Sequence, residues 1–410
     1  MASHSQNLDL ATLVKVADKI LLVMIKLWGQ TSRRMRYIMI LFVSFIICWL
    51  SLWNLQPYEV PTITIDYSQN SGPFNQSKVA LLIENRRNPI LAPLMLHFMA
   101  VVPPDWRFRF MGSEDSVSFL NESVAIRQQV STGKLDLTYI PANMTTGSQE
   151  EISRFLTNLW MYETVLQPAE WLLVFQTDSI LCANSNKNLN DYLDYDWVGA
   201  PWNPDGRFGG NGGLSLRRVS AIIDVLRNQE RADGSEAEDV WLTERLGHRL
   251  GSKLANGTIS LAFSGEMHPG NKEHVIKGGS EKYNSTLEAI EAGEYLQGVD
   301  DWREGYYEPM GYHTGGSGKW LHSGIWGTPE KRKHIWNYCP EVKMTISMDA
   351  AKYLPGQCGE RWKRDRMFED DLGISPPIEF GNNPDQDLGW GSEIIDGEEY
   401  PLLPSYIVPF

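Results

Sequence analysis

Cysteine is scarce in this 410-residue chain: Cys48, Cys182, Cys339 and Cys358 are the whole set. No Cys-x-x-Cys pair and no His/Cys cluster occurs, which argues against a structural zinc site. Positive charge is also in deficit. The 37 Lys and Arg face 51 Asp and Glu, a net charge of -14, which argues against a nucleic-acid binder. The glycine-rich runs lack a Gly-Lys-Ser/Thr ending, so there is no P-loop. Nor do they open a βαβ unit in the manner of a dinucleotide fingerprint. No repeat of fixed period is present.

The charge deficit is uneven. Up to Arg36, six basic residues (Lys15, Lys19, Lys26, Arg33, Arg34, Arg36) face Asp9 and Asp18, about +4, which leaves about -18 on the rest. An acidic body does not draw an anionic nucleotide from a distance. Phosphate binding has to be local, through a metal or a few basic groups.

One long apolar run stands out. Residues 37–55 (YIMILFVSFIICWLSLWNL) carry no charge over 19 positions. As a helix they reach about 28 Å, close to the roughly 30 Å of a bilayer core. Tyr37 lies at one end and Trp49 and Trp53 toward the other, as interfacial aromatics do. Arg33, Arg34 and Arg36 precede the run, so the positive-inside rule puts the N-terminus in the cytosol and the rest in a lumen. The run starts far from the N-terminus and no small-x-small site follows it, which favours an uncleaved anchor over a signal peptide. Upstream, residues 8–28 read as an amphipathic helix on the cytosolic leaflet or as a flexible stem.

Two features fit the lumenal placement. Five N-x-S/T sequons follow the run, at Asn75, Asn121, Asn143, Asn256 and Asn284. In an oxidising lumen two cysteines can pair. Cys339 with Cys358 is the preferred pair, its short loop giving about 3 kcal/mol.

Beyond a polar stem at 56–78, strand and helix patterns alternate. VALLIE (79–84), residues 107–111, 135–140 and WLLVFQ (171–176) read as strands; residues 90–101 and 150–166 have helical spacing. That order predicts an α/β fold with a mainly parallel sheet. After Cys358 the chain turns acidic and rich in Pro and Gly, and residues 359–410 read as an irregular tail.

The chemistry gathers in four places. In FQTDS, Asp178 falls where a buried strand runs out, between Thr177 and Ser179. Ligands bind at such carboxyl ends, and a carboxylate there either holds a cation bridging a diphosphate or caps a turn. Gly209, Gly210, Gly212 and Gly213 let backbone approach a ligand closely or simply form a loop. Glu238 and Asp239 lead into an apolar helix, as dipole partners or as a general base. His313 and His322 lie among glycines and tryptophans, as structural residues or as metal ligands.

In this order, VALLIE, FQTDS, DWVGAPW with GGNGGLSLR, EDVWL and a late GYH loop resemble a fungal-type glycosyltransferase-like family of unknown function, itself similar to GT-A fold glycosyltransferases. The resemblance spans residues 79–358. It implies a GT-A-like domain there, behind a cytosolic tail (1–36) and a transmembrane helix (37–55). It also implies that Asp178 stands for the metal-binding acid of an Asp-x-Asp element, with His313 completing the metal site. Gly212, Gly213 and Leu214 line donor and acceptor, and Asp239 or Glu238 supplies the base. Glu84, Arg86 and Arg87, at the end of the first strand, join Thr177, Asp178 and Ser179 as donor-binding candidates. The implied cofactor is Mn2+ or Mg2+ with a nucleotide-sugar co-substrate, and the acceptor a glycan or glycoprotein. Here the element reads Gln-Thr-Asp-Ser, with one acid. That departure keeps two alternatives open: a binding protein that lost its chemistry, or a hydrolase of glycans or nucleotide sugars, which needs two opposed carboxylates. The expected setting is the Golgi, ahead of the endoplasmic reticulum, because Ile407, Val408, Pro409 and Phe410 form no retrieval signal.

Overall fold

The computed structural model describes residues 31–53, 73–206, 209–276, 288–289, 292–346, 391–395 and 397–402, together with positions 19, 26 and 28–29. The chain divides into two compact units, Met1–Asp66 and Tyr67–Phe410.

The first unit contains α1 (Arg33–Trp53), the helical form of the uncharged run. Among its described side chains, Tyr37, Leu41, Phe42 and Phe45 are each more than 60 % exposed. Among the described residues, no helix is long and apolar enough to cross a membrane. Within α1 the side chains at 39, 47 and 50–53 lie outside the described set. Most of the 8–28 segment and of the stem also lies outside it.

In chain order the second unit begins with β1 (Lys78–Ile83), α2 (Leu91–Val101), β2 (Arg107–Gly112), α3 (Glu114–Asn121), α4 (Val124–Ser131), β3 (Leu135–Tyr139), α5 (Gln149–Leu156) and β4 (Trp171–Phe175). It continues with β5 (Ser179–Leu181), β6 (Trp197–Gly199), β7 (Leu214–Arg218), α6 (Val219–Asn228), α7 (Glu238–His248), α8 (Gly257–Phe263) and β8 (Ser264–Gly265). After β9 (Gly311–His313) come α9 (Ser323–Trp326), α10 (Pro329–Tyr338), β10 (Ser392–Ile395) and β11 (Glu398–Pro401).

The main sheet has the order β3-β2-β1-β4-β7-β6. The first four strands are parallel; β7 runs antiparallel to both β4 and β6. The sheet is therefore mixed: three pairings are parallel, and the two antiparallel ones are both made by β7. Strand periodicity reports burial and not direction, so LSLRR alone did not reveal the reversal.

Helices cover both faces, which is why the central strands read as continuous apolar runs. Alternate residues of β1 feed two cores. Ala80 and Leu82 join Leu94 and Phe98 of α2. Val79 and Leu81 join Phe155 of α5, Ile222 of α6 and Trp241 and Leu242 of α7. Phe98 stacks on Phe175 of β4 with ring centroids 3.9 Å apart. Each such buried side chain contributes roughly 2 kcal/mol through apolar area removed from water.

A small second sheet, β5-β9-β8, sits beyond the end of β4. The disulfide joins Cys182, just past β5, to Cys339, just past α10, with Cα atoms 4.9 Å apart. This corrects the Cys339–Cys358 expectation. Loop length favoured a partner near in sequence, but the fold brings together residues 157 positions apart. Cys358 lies outside the described residues. Within the segment read as an irregular tail, β10 and β11 pair as an antiparallel hairpin.

Candidate active site

β1 leads to β2 and β3 on one side, while β4 lies on the other side of β1. The chain thus reverses its winding between β1 and β4, and the crevice outside their carboxyl ends is where such sheets bind ligands. A cleft of about 450 Å³ opens there. Its walls come from Glu84–Arg86 after β1, Gln176–Asp178 after β4, Asn211–Gly213 before β7, Asp239 at the start of α7, and residues 146–149 leading into α5. Because β7 is antiparallel to β4, its beginning lies at β4's end, and the glycines preceding it reach the cleft.

Asp178 is held in a tight turn. Ser179 N–H donates to Gln176 O at 3.0 Å, and Thr314 N–H donates to Asp178 O at 2.9 Å. The side chain is buried, and its Oδ2 accepts from the Ser317 N–H at 2.9 Å. Pairing of Ser179 with His313 across β5 and β9 puts the imidazole beside it. His313 Nε2 lies 3.4 Å from Asp178 Oδ1, and Nδ1 lies 3.1 Å from Glu266 Oε1. Neither contact has hydrogen-bond alignment, and both ring nitrogens and Glu266 Oε2 are buried without another partner. Burial disfavours the His313 charge, but the two flanking carboxylates outweigh it and push the pKa up to about 10. Burial likewise opposes the Asp178 charge; His313 and the Ser317 N–H outweigh it and hold that carboxyl below its ordinary value.

Asp239 behaves in the opposite sense. Its Oδ2 accepts from Gly212 N–H at 2.9 Å and its Oδ1 from Val240 N–H at 2.8 Å. Burial first, and the neighbouring Glu238 charge second, still raise its pKa to about 6. A carboxyl poised near neutrality in a cleft suits proton transfer.

Glu238 has a different setting. Its Oε1 meets the fully buried Arg217 at 2.7 Å, and the same guanidinium donates to Gly212 O at 3.0 Å. The pair braces the glycine block, which leaves Asp239 as the carboxyl suited to a base. Two glycines there are required by space. A Cβ on Gly212 would lie 2.6 Å from Glu238 Oε1; on Gly213 it would meet His313 Nε2 at 2.4 Å and Gln176 Oε1 at 2.6 Å.

The other candidates divide. Glu84, Arg86, Thr177, Asp178, Gly212 and Gly213 share the cleft. Arg86 is largely occupied by Glu84, through Nε at 2.9 Å and Nη2 at 2.7 Å. Arg87 is not in the cleft wall: it turns toward Glu122 at 3.6 Å and lies over the Phe119 ring. Ser179 is fully buried and donates to Gly213 O at 2.7 Å, so it ties the glycine block to β5 instead of facing a ligand. His313 lies behind Gly213, outside the cleft's lining. The first tryptophan of DWVGAPW and that of EDVWL, Trp197 and Trp241, are core residues under Arg217 and Arg245. Sequence reasoning missed Gln176, Asn211, Glu266 and Ser317. Gln176 was findable, since it stands where an Asp-x-Asp element has its first acid; Glu266 carries no motif.

The fit of a divalent cation can be judged from the donors. Among the described residues, no group of three or more His, Cys, Asp and Glu side chains is arranged to hold a metal. The His313 Nε2 and the Gln176 amide oxygen both face Gly213, Asp178 Oδ1 lies 3.4 Å from that nitrogen, and the nitrogen lacks an aligned partner. One carboxylate, one imidazole that has to give up its proton on binding, and one amide oxygen suit a cation that takes its remaining oxygens from a diphosphate.

A family described as "Protein of unknown function (DUF5672)" matches residues 134–278. The match takes in FQTDS, the glycine block and EDVWL, and is narrower than residues 79–358. No curated protein matches the chain. Among solved structures, the chain is similar to the mannosyltransferase of Pyrobaculum calidifontis in complex with GDP-Man and Mn2+, at 11 % identity and a TM-score of 0.30, over 48 % of this chain and 57 % of that one. It is similar to core-mannan synthase A from Aspergillus fumigatus in its Mn/GDP form, at 10 % identity and a TM-score of 0.27, over 45 % of this chain and 68 % of that one. It is also similar to the galactosyltransferase LgtC in complex with donor and acceptor sugar analogs, at 13 % identity and a TM-score of 0.33, over 70 % of this chain and 99 % of that one. The chain thus spans 57 % of the length of the Pyrobaculum enzyme. At such identities and scores a likeness says nothing of substrate.

Proposed function

We propose that this chain is a glycosyltransferase that moves a sugar from a nucleotide-sugar donor to a glycan or protein acceptor. The observation that carries the reading is the pair of unlike carboxyls in one cleft at the winding reversal: Asp178 held ionised and Asp239 raised to about 6. Asp239 Oδ takes the proton of the acceptor hydroxyl as that oxygen bonds to the anomeric carbon. The bond from that carbon to the donor's diphosphate breaks, and the nucleoside diphosphate leaves with the electron pair. Gly212 and Gly213 let the donor lie against bare backbone. Asp178 and His313, with Gln176, are the residues that would hold Mn2+ or Mg2+, which when bound neutralises charge on the leaving group. Glu84, Asn85 and Arg86 form the nucleotide-side wall.

The same reading sets the chain in a membrane by the uncharged run 37–55, only part of whose side chains lie among the described residues, with the Tyr67–Phe410 unit in the lumen of the secretory pathway. The uncharged run, the arginines before it and the exposed apolar side chains of α1 support this. So does the exposure of the four described sequon asparagines, Asn75, Asn121, Asn143 and Asn256.

The test is a screen of UDP- and GDP-sugars with the full chain and Mn2+, reading product by mass. Transfer is expected and is lost in Asp178→Asn. Gln176 in place of an acid favours one second reading, a donor-binding protein without turnover. Nucleoside diphosphate binding with no transfer to any acceptor, and none to water, would establish it instead.

A further inference from the structure

Glu266 follows the two-residue strand β8, carries no sequence motif, and plays no part in the proton or group transfer described above. Its Oε1 is the meeting point of two lines of contact. One runs to His313 Nδ1 at 3.1 Å and through the ring to Asp178. The other receives the Asn211 Nδ2–H at 3.2 Å, and Asn211 Oδ1 in turn accepts the Gly213 N–H at 2.6 Å. The parallel pairing of β8 with β9, Gly265 beside Tyr312, brings the next residue, Glu266, level with His313. Its Oε2 is buried with no partner, so the group is desolvated without being fully satisfied. An arrangement of that kind is costly unless it serves something.

Resting on the transferase reading, we infer that Glu266 is a positioning residue that sets the cation-facing nitrogen of His313 and the backbone of Gly213 together. The Glu266 charge 3.1 Å from Nδ1 acts on the ring through space, favouring the orientation in which Nε2 faces Asp178; the outer carboxylates of metal-binding histidines orient the ring in the same sense, and their loss typically weakens metal 10- to 100-fold. Through Asn211 the same oxygen fixes where the glycine block presents its amide to the donor. One side chain therefore ties the metal side of the cleft to its donor side, and neither Asp178 nor Gly213 can shift without the other's support moving.

The test uses the full chain with Mn2+ alone as probe, following free Mn2+ by electron paramagnetic resonance, then with Mn2+ plus UDP or GDP. Glu266→Gln keeps shape and the contact to Asn211 but removes the charge beside Nδ1. It is expected to weaken Mn2+ at least tenfold while the metal-free thermal midpoint stays within about 3 °C. Asn211→Ala should leave Mn2+ alone unchanged and weaken nucleoside diphosphate instead. If Glu266→Gln binds Mn2+ within twofold of wild type, the positioning role is overturned and the transferase reading stands. If the substitution instead drops the metal-free midpoint by more than about 10 °C, Glu266 serves the fold and the role is likewise overturned. A wild-type chain that takes up Mn2+ neither alone nor with UDP or GDP overturns the transferase reading and this inference with it.

Discussion

Asp239 offers the sharpest residue-scale prediction. With a pKa of about 6, its rate limb in kcat/KM should rise with pH and level off above that value. Asp239→Asn should lose about 100- to 10,000-fold in turnover, with nucleoside diphosphate affinity changed less than threefold in calorimetry. Stability moves the other way. The folded value lies above the ordinary 3.8, so the folded chain binds this proton more tightly than the unfolded one. That contribution is full below about pH 3.8 and is lost as pH rises through 6, leaving Asp239 about 3 kcal/mol less favourable at pH 8 than in acid. Asp239→Asn should therefore be more stable than wild type in denaturant at pH 8, with the gap closing by pH 4. Gly213→Ala is a second residue-scale prediction. The new methyl group would press on His313 and Gln176, both hemmed in, at about 1–3 kcal/mol. Donor affinity should fall at least tenfold in a thermal-shift titration, since the cleft floor has to move.

At the scale of elements, the strands that position the site were legible because they are buried on both faces. VALLI and WLLVF read as uninterrupted apolar runs, and the acid after the second had to lie at a strand end. Three things were not legible. The reversal of β7 leaves no trace in LSLRR, since side-chain alternation is the same in either direction. Glu266 hangs from a strand of two residues, too short for any periodicity. The partner of Cys339 is chosen by the packing of β5 against the end of α10, a contact between distant segments that loop-length entropy does not favour. The disulfide closes a loop that the chain-entropy model rates at about 5 kcal/mol. Cys182→Ser or Cys339→Ser should cost about 2–5 kcal/mol in guanidinium unfolding, with loss of order centred on the second sheet in hydrogen exchange. If the midpoint is unchanged, the cross-link is not part of the folded chain.

At the scale of the molecule, the proposed anchoring is tested through a contrast between the two units. The Tyr67–Phe410 unit buries its apolar strands between helices, whereas α1 leaves Tyr37, Leu41, Phe42 and Phe45 uncovered. The expected outcome in cells is that the full chain stays in the membrane pellet at alkaline pH and gains mobility in gels after endoglycosidase treatment. Replacing Leu41 and Phe45 with Arg should release it, because two charges at mid-helix cost roughly 5–7 kcal/mol on insertion. Recovery of unmodified full chain in the soluble fraction would reject the anchored topology.

The cross-link beside β5 carries a practical consequence. Asp178 and Cys182 flank β5 on its two sides, so oxidation of the cross-link is expected to firm the floor of the cleft. The donor screen therefore belongs on oxidised chain, and a preparation from a reducing cytoplasm is expected to bind nucleoside diphosphate more weakly than one whose cross-link has formed.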